Sequence, residues 1–272
     1  MGLLEGKRAI ITGSGRGIGR AAAMLMAREG AFIVINDLDS EIAQEAAKAV
    51  AAAGGRAVAC AGDVTAPGFP EKLVQTAVDN FGGLEILVNN AGYTWDGMIH
   101  KMTDEQWLAM LAVHLTASFR LIRAASPYLR EAAKAEIAEG RRVIRKIVNV
   151  VSVAGTMGNA GQANYSSAKA GLIGLTKTIA REWGRFNVNC NAVAFGFVNT
   201  RLTREKEEGE VFESRGLPLG IPRDVRQAFL ASIPLGRAAE PEEAAGGILF
   251  LVSPLSDYVN GHVLHVDGGL DM

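Results

Sequence analysis

Short runs of β-branched and apolar residues alternate along this chain with longer alanine-rich stretches of helical period. Seven runs have the composition of strands, near residues 8–12, 32–36, 57–61, 86–89, 146–151, 188–194 and 262–266. The stretches of helical period lie near residues 18–29, 40–53, 70–81, 104–126, 163–185 and 241–252. Strands that alternate with helices of this length build βαβ units around a parallel sheet. The pattern predicts an α/β, Rossmann-like, doubly wound fold, with a seven-stranded parallel sheet, helices on both faces and a ligand crevice at the strand carboxyl ends.

Two segments interrupt this alternation. Residues 127–146 add a charged helical stretch before the fifth strand, which we expect to lie in solvent. Residues 201–234 contain REKEEGE, GLPLGIP and SIP, in which Gly and Pro interrupt helical fragments. Long irregular segments of compact domains often cover active sites, although a tolerated surface insertion is the alternative. We expect one domain over residues 1–272, with a lid at about 201–234.

The composition narrows the class of partner and the compartment. The formal net charge is −1 and no Lys/Arg run stands out, so the chain lacks the basic footprint of a nucleic-acid or anionic-membrane binder. Cys60 and Cys190 lie in apolar runs without the spacing of metal ligands, and we interpret them as reduced core thiols, with no metal site. The sequence has neither a secretory signal pattern nor an apolar run of about 18 residues. We expect a cytoplasmic protein whose partners are small molecules.

A glycine-rich segment, TGSGRGIG at residues 12–19, directly follows the first strand and precedes the first helix. Glycines permit a tight turn and let a pyrophosphate approach the backbone, where the N–H groups and dipole of a helix N-terminus favour an anion. A glycine-rich turn can also serve a purely conformational purpose. Its position between a strand and a helix favours a dinucleotide site formed by Gly13, Arg16, Gly17, Ile18 and Gly19.

The second strand ends at Asp37, about 20 residues beyond the glycines, where a carboxylate can accept hydrogen bonds from a ribose diol. A 2′-phosphate at this place would meet like charge unless a cation compensated for it. Arg16 is the cation available within the glycine-rich segment. We therefore predict NAD(H) in preference to NADP(H). The alternative for Asp37 is structural, because an aspartate after a strand often caps the next turn.

Tyr165 and Lys169 have the i, i+4 spacing that places two side chains on one helix face. A phenol with its ordinary pKa of about 10 is a poor acid–base group at neutral pH, and an adjacent ammonium would favour its ionisation. Taken alone, the pair is more typical of a half-buried ring beside a solvated lysine stem. Only together with motifs elsewhere in the chain does the pair indicate a catalytic site.

Four motifs follow one another in the order of a known family: TGxxxGxG, then Asn89-Asn90-Ala91-Gly92, then Ser152, then Tyr165 with Lys169. Together they resemble the short-chain dehydrogenase/reductase family, and the resemblance runs from Gly6 to Gly269. It implies a dinucleotide-binding oxidoreductase that interconverts a ketone and a secondary alcohol by hydride transfer with NAD or NADP. In that family's mechanism Ser152 would donate a hydrogen bond to the substrate oxygen. Tyr165 would act as the acid or base, and Lys169 would also hold the nicotinamide ribose.

The resemblance implies further cofactor contacts at Asp63, Val64, Asn90, Ala91, Gly92, Val198 and Thr200. Of the positions that depart from the family's pattern, two belong to the expected site. His114 stands where many members have an asparagine that is thought to hold a water on a proton path to the lysine. We interpret His114 as a fourth catalytic-site residue with a structural and water-holding role, and proton relay by its imidazole is an open hypothesis. Phe195 replaces the usual proline, which removes a constraint on φ and adds an aromatic ring near the nicotinamide.

The motifs define the reaction class more sharply than the substrate. Segments 36–38 and 155–165 resemble those of 3-hydroxyacyl-CoA dehydrogenases and 3-oxoacyl-acyl carrier protein reductases, which favours a 3-oxoacyl or 3-hydroxyacyl thioester. A sugar, polyol or cyclic-alcohol dehydrogenase is the alternative within the family. A catalytically idle dinucleotide-binding protein is the alternative outside it, because one fold can bind a cofactor without turnover. Members are typically tetramers, so we expect a homotetramer, with neither a nucleic-acid nor a membrane partner.

Overall fold

The computed structural model describes residues 2–205, 211–212, 217–218 and 220–272. Its strands are β1 (Arg8–Ile11), β2 (Phe32–Ile35), β3 (Arg56–Ala59), β4 (Ile86–Asn89), β5 (Arg145–Ser152), β6 (Val188–Phe195), β7 (Val211–Phe212), β8 (Leu217–Pro218) and β9 (Val263–Val266). Seven of them form one parallel sheet in the order β3-β2-β1-β4-β5-β6-β9. The strands β7 and β8 form a separate antiparallel pair. The predicted α/β fold with a seven-stranded parallel sheet is confirmed.

Helices cover both faces of the sheet. In chain order they are α1 (Gly17–Arg28), α2 (Ser40–Ala52), α3 (Phe69–Phe81), α4 (Asp104–Leu111), α5 (Ala117–Ser126), α6 (Ala132–Ala138), α7 (Ala154–Met157), α8 (Ala163–Trp183), α9 (Arg223–Ser232) and α10 (Pro241–Val252). Successive side chains of a strand point to opposite faces. Ile11 and Ile35 therefore belong to the core formed with α1, α2 and α10, whereas Ile10 and Val34 belong to the core formed with α3, α5 and α8. Burial on both faces explains why the strands read as continuous apolar runs.

The order in which strands are added to the sheet reverses at β1, and this reversal positions the crevice. Strand β1 pairs with β2 on one side and with β4 on the other. The connections that follow β1 and β4 therefore diverge and leave a crevice at the carboxyl ends of the strands, where ligands bind in open parallel sheets. Ser152 ends β5 beside this crevice, in register with Phe195 of β6.

One long helical region crosses a face of the sheet. Residues 104–138 run through α4, α5 and α6, which are joined by π-helical turns at Ala112–Thr116 and Pro127–Glu131. Among the described residues this is the one helix whose length and hydropathy would suit a membrane span, and 44% of its most apolar window is buried inside the fold. It packs against α3 and α8 as a core helix.

The segment at 127–146 is more than a solvated extension, contrary to our expectation. Leu129 is fully buried. The guanidinium of Arg145 is buried as well, because its Nη1 lies 2.6 Å from Glu136 Oε2 and its Nε donates to Tyr128 O at 2.9 Å. Other charged pairs of the segment, such as Lys134 with Glu131, stay exposed, whereas a buried charge such as that of Arg145 is tolerated because it is paired. The ion pair allows this part of the segment to pack against the sheet.

The expected lid at 201–234 is described in part. Residues 206–210, 213–216 and 219, which include most of REKEEGE and part of GLPLGIP, lie outside the described residues. In the described part, Phe229 of α9 packs against Phe197, with ring centroids 5.6 Å apart. Leu202 and Phe229 line the crevice. The described ends of this segment therefore lie beside the crevice.

Candidate active site

The glycine-rich loop is shaped by glycines at positive φ and by a serine that bonds back to the first strand. Gly13 and Gly17 have φ of +60° and +53°, a region that favours glycine. A Cβ at Gly19 would collide with the carbonyl oxygen of Gly13. Ser14 Oγ donates to Ile11 O at 2.6 Å. The first turn of α1 therefore begins at the crevice, with its free N–H groups available to an anion.

The NNAG motif after β4 fixes the same loop from the other side. Asn90 Nδ2 donates to Thr12 O at 2.8 Å and to Gly13 O at 3.0 Å. Thr12 Oγ1 accepts the backbone N–H groups of Asn90 and Ala91, both at 2.9 Å. These bonds join the loops after β1 and β4. Asn90 therefore positions the glycine-rich loop as well as lining the crevice.

Asp37 follows β2 beside the glycine-rich loop. Its Oδ1 accepts the backbone N–H of Asp39 at 3.2 Å, so the carboxylate caps the turn that leads into α2. Burial raises the pKa of Asp37, against the opposing effects of that hydrogen bond and of the positive charge of Arg16. Arg16 and Asp37 line the same crevice. The loop therefore supplies a cation beside the acid.

The residues after β3 and β6 complete the walls of the crevice. Asp63 Oδ1 accepts from the backbone N of Thr65 at 2.8 Å and from its Oγ1 at 2.7 Å. Val64 is buried next to them. On the opposite side, Thr200 Cγ2 lies 3.6 Å from the position that a Cβ on Gly17 would take. The loop after β6 thus reaches the glycine-rich loop.

Ser152, Tyr165 and Lys169 meet at one end of the crevice. Ser152 ends β5, while Tyr165 and Lys169 lie in the first two turns of α8 and share one face, as their spacing predicts. Lys169 Nζ lies 5.5 Å from the centre of the Tyr165 ring and donates to Val150 O at 2.7 Å. The three side chains are therefore placed so that one substrate oxygen could contact both hydroxyl groups.

Burial is the largest cause of the pKa shifts of Tyr165 and Lys169. It raises the pKa of Tyr165 to about 12; a hydrogen bond with Ser152 opposes the rise, and the negative charge of Asp96 adds to it. Burial also lowers the pKa of Lys169 to about 7. The lowering of the phenol pKa that we expected from Lys169 is not among the effects that act on Tyr165. Tyr165 therefore holds its proton at neutral pH, the form in which a phenol acts as an acid.

His114 lies in the π-helical turn Ala112–Thr116 and is 3% exposed. Its Nε2 is 2.8 Å from Tyr93 O, and because a carbonyl only accepts, Nε2 carries the proton and Nδ1 carries a lone pair. That Nδ1 is buried without a hydrogen-bond partner among the described residues. Burial, and then the charge of Lys169, lowers the pKa of His114 well below 6.5. The neutral ring meets the Tyr165 ring edge to face at 4.9 Å.

All of the site residues predicted from the sequence line one cavity of about 780 Å³. They are Gly13, Arg16, Gly17, Ile18, Gly19, Asp37, Asp63, Val64, Asn90, Ala91, Gly92, His114, Ser152, Tyr165, Lys169, Val198 and Thr200. Such a volume is typical of small-molecule and cofactor sites. Among the described residues no group of three or more His, Cys, Asp or Glu side chains is arranged to hold a metal ion. Cys60 and Cys190 are buried and free.

The cavity has further walls that the sequence motifs do not single out. Asp96 and Gln162 lie at its mouth, where Gln162 Nε2 is 3.0 Å from Asp96 Oδ2. Phe197, Phe229 and Met157 add apolar surface. Asp96 follows the NNAG motif by four residues and Gln162 precedes the tyrosine by three. Proximity to those motifs is the one signal that could have identified them, and no sequence pattern pairs the two.

Comparison with known proteins agrees with this geometry. A family model described as enoyl-(acyl carrier protein) reductase matches residues 13–271. The chain is 42% identical over 269 residues to a 3-oxoacyl-(acyl-carrier-protein) reductase of Vibrio cholerae serotype O1, with 99% of each chain covered. It is 38% identical over 267 residues to the enzyme of the same name from Thermotoga maritima, with 98% of each chain covered. A hydroxyacyl-CoA dehydrogenase of Mycobacterium tuberculosis is 39% identical over 270 residues, which are 97% of this chain and 78% of that one.

The fold, the site and these relatives together define the class. The protein belongs to the short-chain dehydrogenase/reductase family. It is an oxidoreductase that acts on CH–OH groups, and it is similar to 3-oxoacyl-(acyl-carrier-protein) reductases.

The prediction of NAD(H) as the preferred cofactor is wrong. The relatives named as 3-oxoacyl-(acyl-carrier-protein) reductases point to NADP(H) instead. The physical reason lies beside the glycine-rich loop. The carboxylate of Asp37 is engaged with the backbone N–H of Asp39, and Arg16 supplies the compensating positive charge. The sequence rule counts the acid as a ribose ligand and gives too little weight to the cation next to it.

Proposed function

We propose that the protein is a cytoplasmic, NADP(H)-dependent reductase that converts the ketone of a 3-oxoacyl thioester into a 3-hydroxyacyl product. One observation carries the proposal: Ser152, Tyr165 and Lys169 converge in a cavity that is also lined by the glycine-rich loop. The substrate class is supported by the relatives, which are named for reduction of a 3-oxoacyl group and for dehydrogenation of a hydroxyacyl group. Residues 1–272 would act as one catalytic domain, with Leu202 and Phe229, from the described part of the expected lid, beside the substrate.

The residues of the crevice fit a dinucleotide that carries a 2′-phosphate. The glycines of the loop and the start of α1 leave backbone N–H groups for the pyrophosphate. Arg16 would bind the 2′-phosphate, because a guanidinium matches phosphate geometry. Asp63 and Val64 would contact the adenine, and Lys169 would hold the nicotinamide ribose. When bound, NADP(H) supplies or accepts the hydride at the carbonyl carbon.

Tyr165 is the group that moves a proton at the substrate oxygen. Its pKa of about 12 keeps the phenol protonated near neutral pH, which is the form that reduction requires. Ser152 donates a hydrogen bond to the same oxygen. Lys169 does not lower the pKa of Tyr165 in the free protein, but in its protonated form it would stabilise the phenolate that is left behind in the reaction. In the direction of alcohol oxidation Tyr165 must first lose its proton, so oxidation needs a higher pH than reduction.

His114 would support this group through a hydrogen-bond acceptor, as a water-holding residue. Its neutral ring leaves a buried lone pair on Nδ1 without a partner among the described residues. A water at Nδ1 would find an ammonium nearby, since the charge of Lys169 acts on the imidazole. The low pKa of His114 favours this role over proton relay by a charged imidazolium.

The direct test is steady-state oxidation of NADPH and NADH by the purified protein with 3-oxoacyl thioesters, diketones, sugars and cyclic ketones. We expect NADPH-dependent reduction, fastest with a 3-oxoacyl thioester. Tyr165→Phe should lower turnover roughly 100- to 10,000-fold because it removes the acid. Tyr258→Phe is the matched control, since this tyrosine is fully exposed. Faster turnover of a sugar or cyclic ketone would replace the substrate class, and cofactor binding without any turnover would favour an idle dinucleotide-binding protein.

Arg16→Ala tests the cofactor at the level of one residue. We expect KM for NADPH to rise about 10- to 100-fold with little change for NADH, because the substitution removes charge-assisted hydrogen bonds to a phosphate. Arg20→Ala, on the exposed side of α1, is the matched control. Equal losses with both cofactors would contradict a role at the 2′-phosphate.

We also propose a homotetramer. Leu108 and Phe119 are exposed on α4 and α5. Ser167, Ala170 and Gly174 form an exposed strip of small residues on α8. Exposed apolar and small-residue helix faces allow close packing between copies of a chain. Light scattering at working concentration should give the mass of four chains, and a single monomer peak would refute the assembly.

A further inference from the structure

One carboxylate at the mouth of the cavity has no part in the chemistry above. Asp96 lies in the loop between β4 and α4, lines the same cavity as Tyr165 and is exposed to solvent on its outer side. We propose that Asp96 is a charge filter, which selects neutral 3-oxoacyl derivatives such as thioesters and amides over free 3-oxo acids. This inference rests on the proposed carbonyl reduction and adds to it the residue that determines which acyl derivatives are accepted.

The surrounding structure holds the Asp96 carboxylate in one place. Gln162 Nε2 donates to both of its oxygens, at 3.2 Å and 3.0 Å. The backbone N–H of Gly97 donates to Gly161 O at 2.8 Å. Gly161 and Gln162 directly precede α8, the helix that carries the proposed acid. The carboxylate is therefore tied to the element that bears Tyr165 and cannot swing away into solvent without breaking these bonds.

The negative charge of Asp96 acts on Tyr165, at the end of the cavity where the carbonyl would bind. It adds to the rise in the pKa of Tyr165, so the two groups interact electrostatically. Removal of water by the cavity walls raises the pKa of Asp96 itself, while the hydrogen bond from Gln162 opposes that rise. An N–H donated to a carboxylate stabilises its ionised form. Asp96 thus acts as a fixed negative charge near the carbonyl site.

The other charged groups of the cavity lie elsewhere. Arg16, Asp37, Asp39 and Asp63 follow β1, β2 and β3, on the dinucleotide side. Lys169 Nζ is directed at Val150 O, and burial lowers its pKa to about 7. Arg201 lines the cavity from the loop after β6, which lies beyond β5 from the loop of Asp96. Arg201, and Lys169 when it is protonated, are therefore the described cations of this end of the cavity that would attract a free 3-oxo acid and oppose the repulsion by Asp96. The selectivity of the unmodified protein measures which of the two effects is larger.

A free 3-oxo acid carries a negative charge of its own next to the ketone. In a 3-oxo acid one methylene separates the ketone from the carboxylate, so a carbonyl at Tyr165 brings a second negative charge into the cavity that Asp96 also lines. Like charges in a partly dehydrated site repel strongly enough to change affinity by about tenfold or more, and added salt weakens the repulsion. A thioester or amide has no such charge. The amide N–H can also donate to a carboxylate.

The experiment compares two substrates of nearly equal size, acetoacetate and acetoacetamide, with NADPH as the reductant. We expect kcat/KM to favour the neutral amide by about tenfold or more at low salt, and the preference to shrink at high salt. Asp96→Asn keeps an acceptor for Gln162 and should reduce the preference about tenfold. Asp79→Asn is the matched control, because Asp79 accepts from Gln75 Nε2 at 2.7 Å on the surface of α3. No preference in the unmodified protein, or the same preference after Asp96→Asn, would overturn the filter.

A binding measurement separates failure of the filter from failure of the proposed function. Both compounds are titrated into Tyr165→Phe loaded with NADP+, with and without Asp96→Asn. If no carbonyl compound is reduced by the unmodified protein, the proposed function fails, and the filter is judged by the ratio of the two Kd values alone. A ratio that favours the amide and collapses with Asp96→Asn supports the filter. Equal Kd values, or binding of neither compound, overturn it whatever the turnover shows.

Discussion

Two lysines of this protein are buried, one beside a counter-ion and the other without one among the described residues. Lys146, on β5, lies with its Nζ 2.9 Å from Asp257 Oδ1 and donates to Ser256 Oγ at 3.2 Å. Lys169, on α8, donates to a backbone carbonyl and forms no ion pair with the described residues. Burial lowers the pKa of both lysines. At Lys146 the hydrogen bond and charge of Asp257 oppose the shift, whereas at Lys169 nothing opposes it and the pKa falls to about 7.

The difference separates a structural charge from a functional one. A buried ion that has its counter-ion within the chain is tolerated because attraction offsets part of the dehydration cost. A buried ion without one destabilises the folded state, and such groups cluster at functional sites. The proposed partners of Lys169 are the nicotinamide ribose, which is present only when the cofactor is bound, and the phenolate of Tyr165, which forms only when the proton is transferred. The comparison therefore predicts opposite effects when each lysine is removed.

The largest effect is expected from Lys169→Met. Turnover should fall roughly 100- to 10,000-fold, because the phenolate of Tyr165 loses its cation. The free energy of unfolding should rise by about 1–4 kcal/mol, because an uncompensated buried charge is replaced by an apolar chain of similar volume. Lys146→Met should keep turnover within about threefold and should not gain stability in this way, since it leaves Asp257 unpaired. Urea denaturation and NADPH oxidation on both variants measure the free energy of unfolding and the turnover. A loss of stability in Lys169→Met would contradict the proposed difference between the two lysines.

The pH dependence of stability sharpens the same contrast. The unfolded chain holds the Lys169 proton up to a pKa of about 10.5, whereas the folded protein releases it at about 7. Between these values the unfolded state binds more protons, so the contribution of Lys169 to stability rises with pH. From about pH 7 to pH 9.5 the unmodified protein should gain roughly 3 kcal/mol relative to Lys169→Met. Taking the difference between two proteins removes the titration of groups they share, and parallel curves would mean that the lysine is not dehydrated as described.

The sequence predicted the features that depend on neighbouring residues. The first strand, predicted at 8–12, lies at Arg8–Ile11, because a short run of apolar residues is a local signal. The glycine-rich loop and the shared face of Tyr165 and Lys169 are equally local, since both follow from spacing within a few residues. The order of the motifs then identified the family, which brought distant residues into one expected cavity.

The sequence could not predict features that depend on contacts between distant segments. Asp37 was read as a ribose ligand, and the effect of Arg16 on it requires the folded arrangement of two loops. Asp96 and Gln162 are 66 residues apart, and their hydrogen bonds follow from the approach of a loop to the start of α8. The pKa of Lys169 follows from burial, which no spacing records. Such quantities are set by packing and by the removal of water.

A smaller effect is expected when the structural lysine keeps its charge and loses its partner. Asp257→Asn should lower the free energy of unfolding by about 1–2 kcal/mol near neutral pH, because Lys146 stays buried while its carboxylate, 38% exposed, is neutralised. The loss should shrink as the pH rises and Lys146 becomes neutral. Asp79→Asn, on the surface of α3, should change stability by less than about 0.5 kcal/mol. Turnover should be unchanged in both variants, and a large catalytic loss in Asp257→Asn would mean that the two lysines do not act separately.

The smallest effect is expected at His114, the neutral group that faces the functional lysine. Because the pKa of His114 is well below 6.5, its ring carries no charge over the range in which turnover is measured. His114→Asn should therefore change kcat/KM by less than about threefold and leave the pH–rate profile above pH 6 superimposable on that of the unmodified protein. Such profiles would exclude proton relay by the imidazole and leave the water-holding role. A displaced limb of the profile would show that His114 titrates during turnover. Lys169 would then have to lose its proton before the imidazole gains one, because two buried cations side by side would have no counter-charge among the described residues.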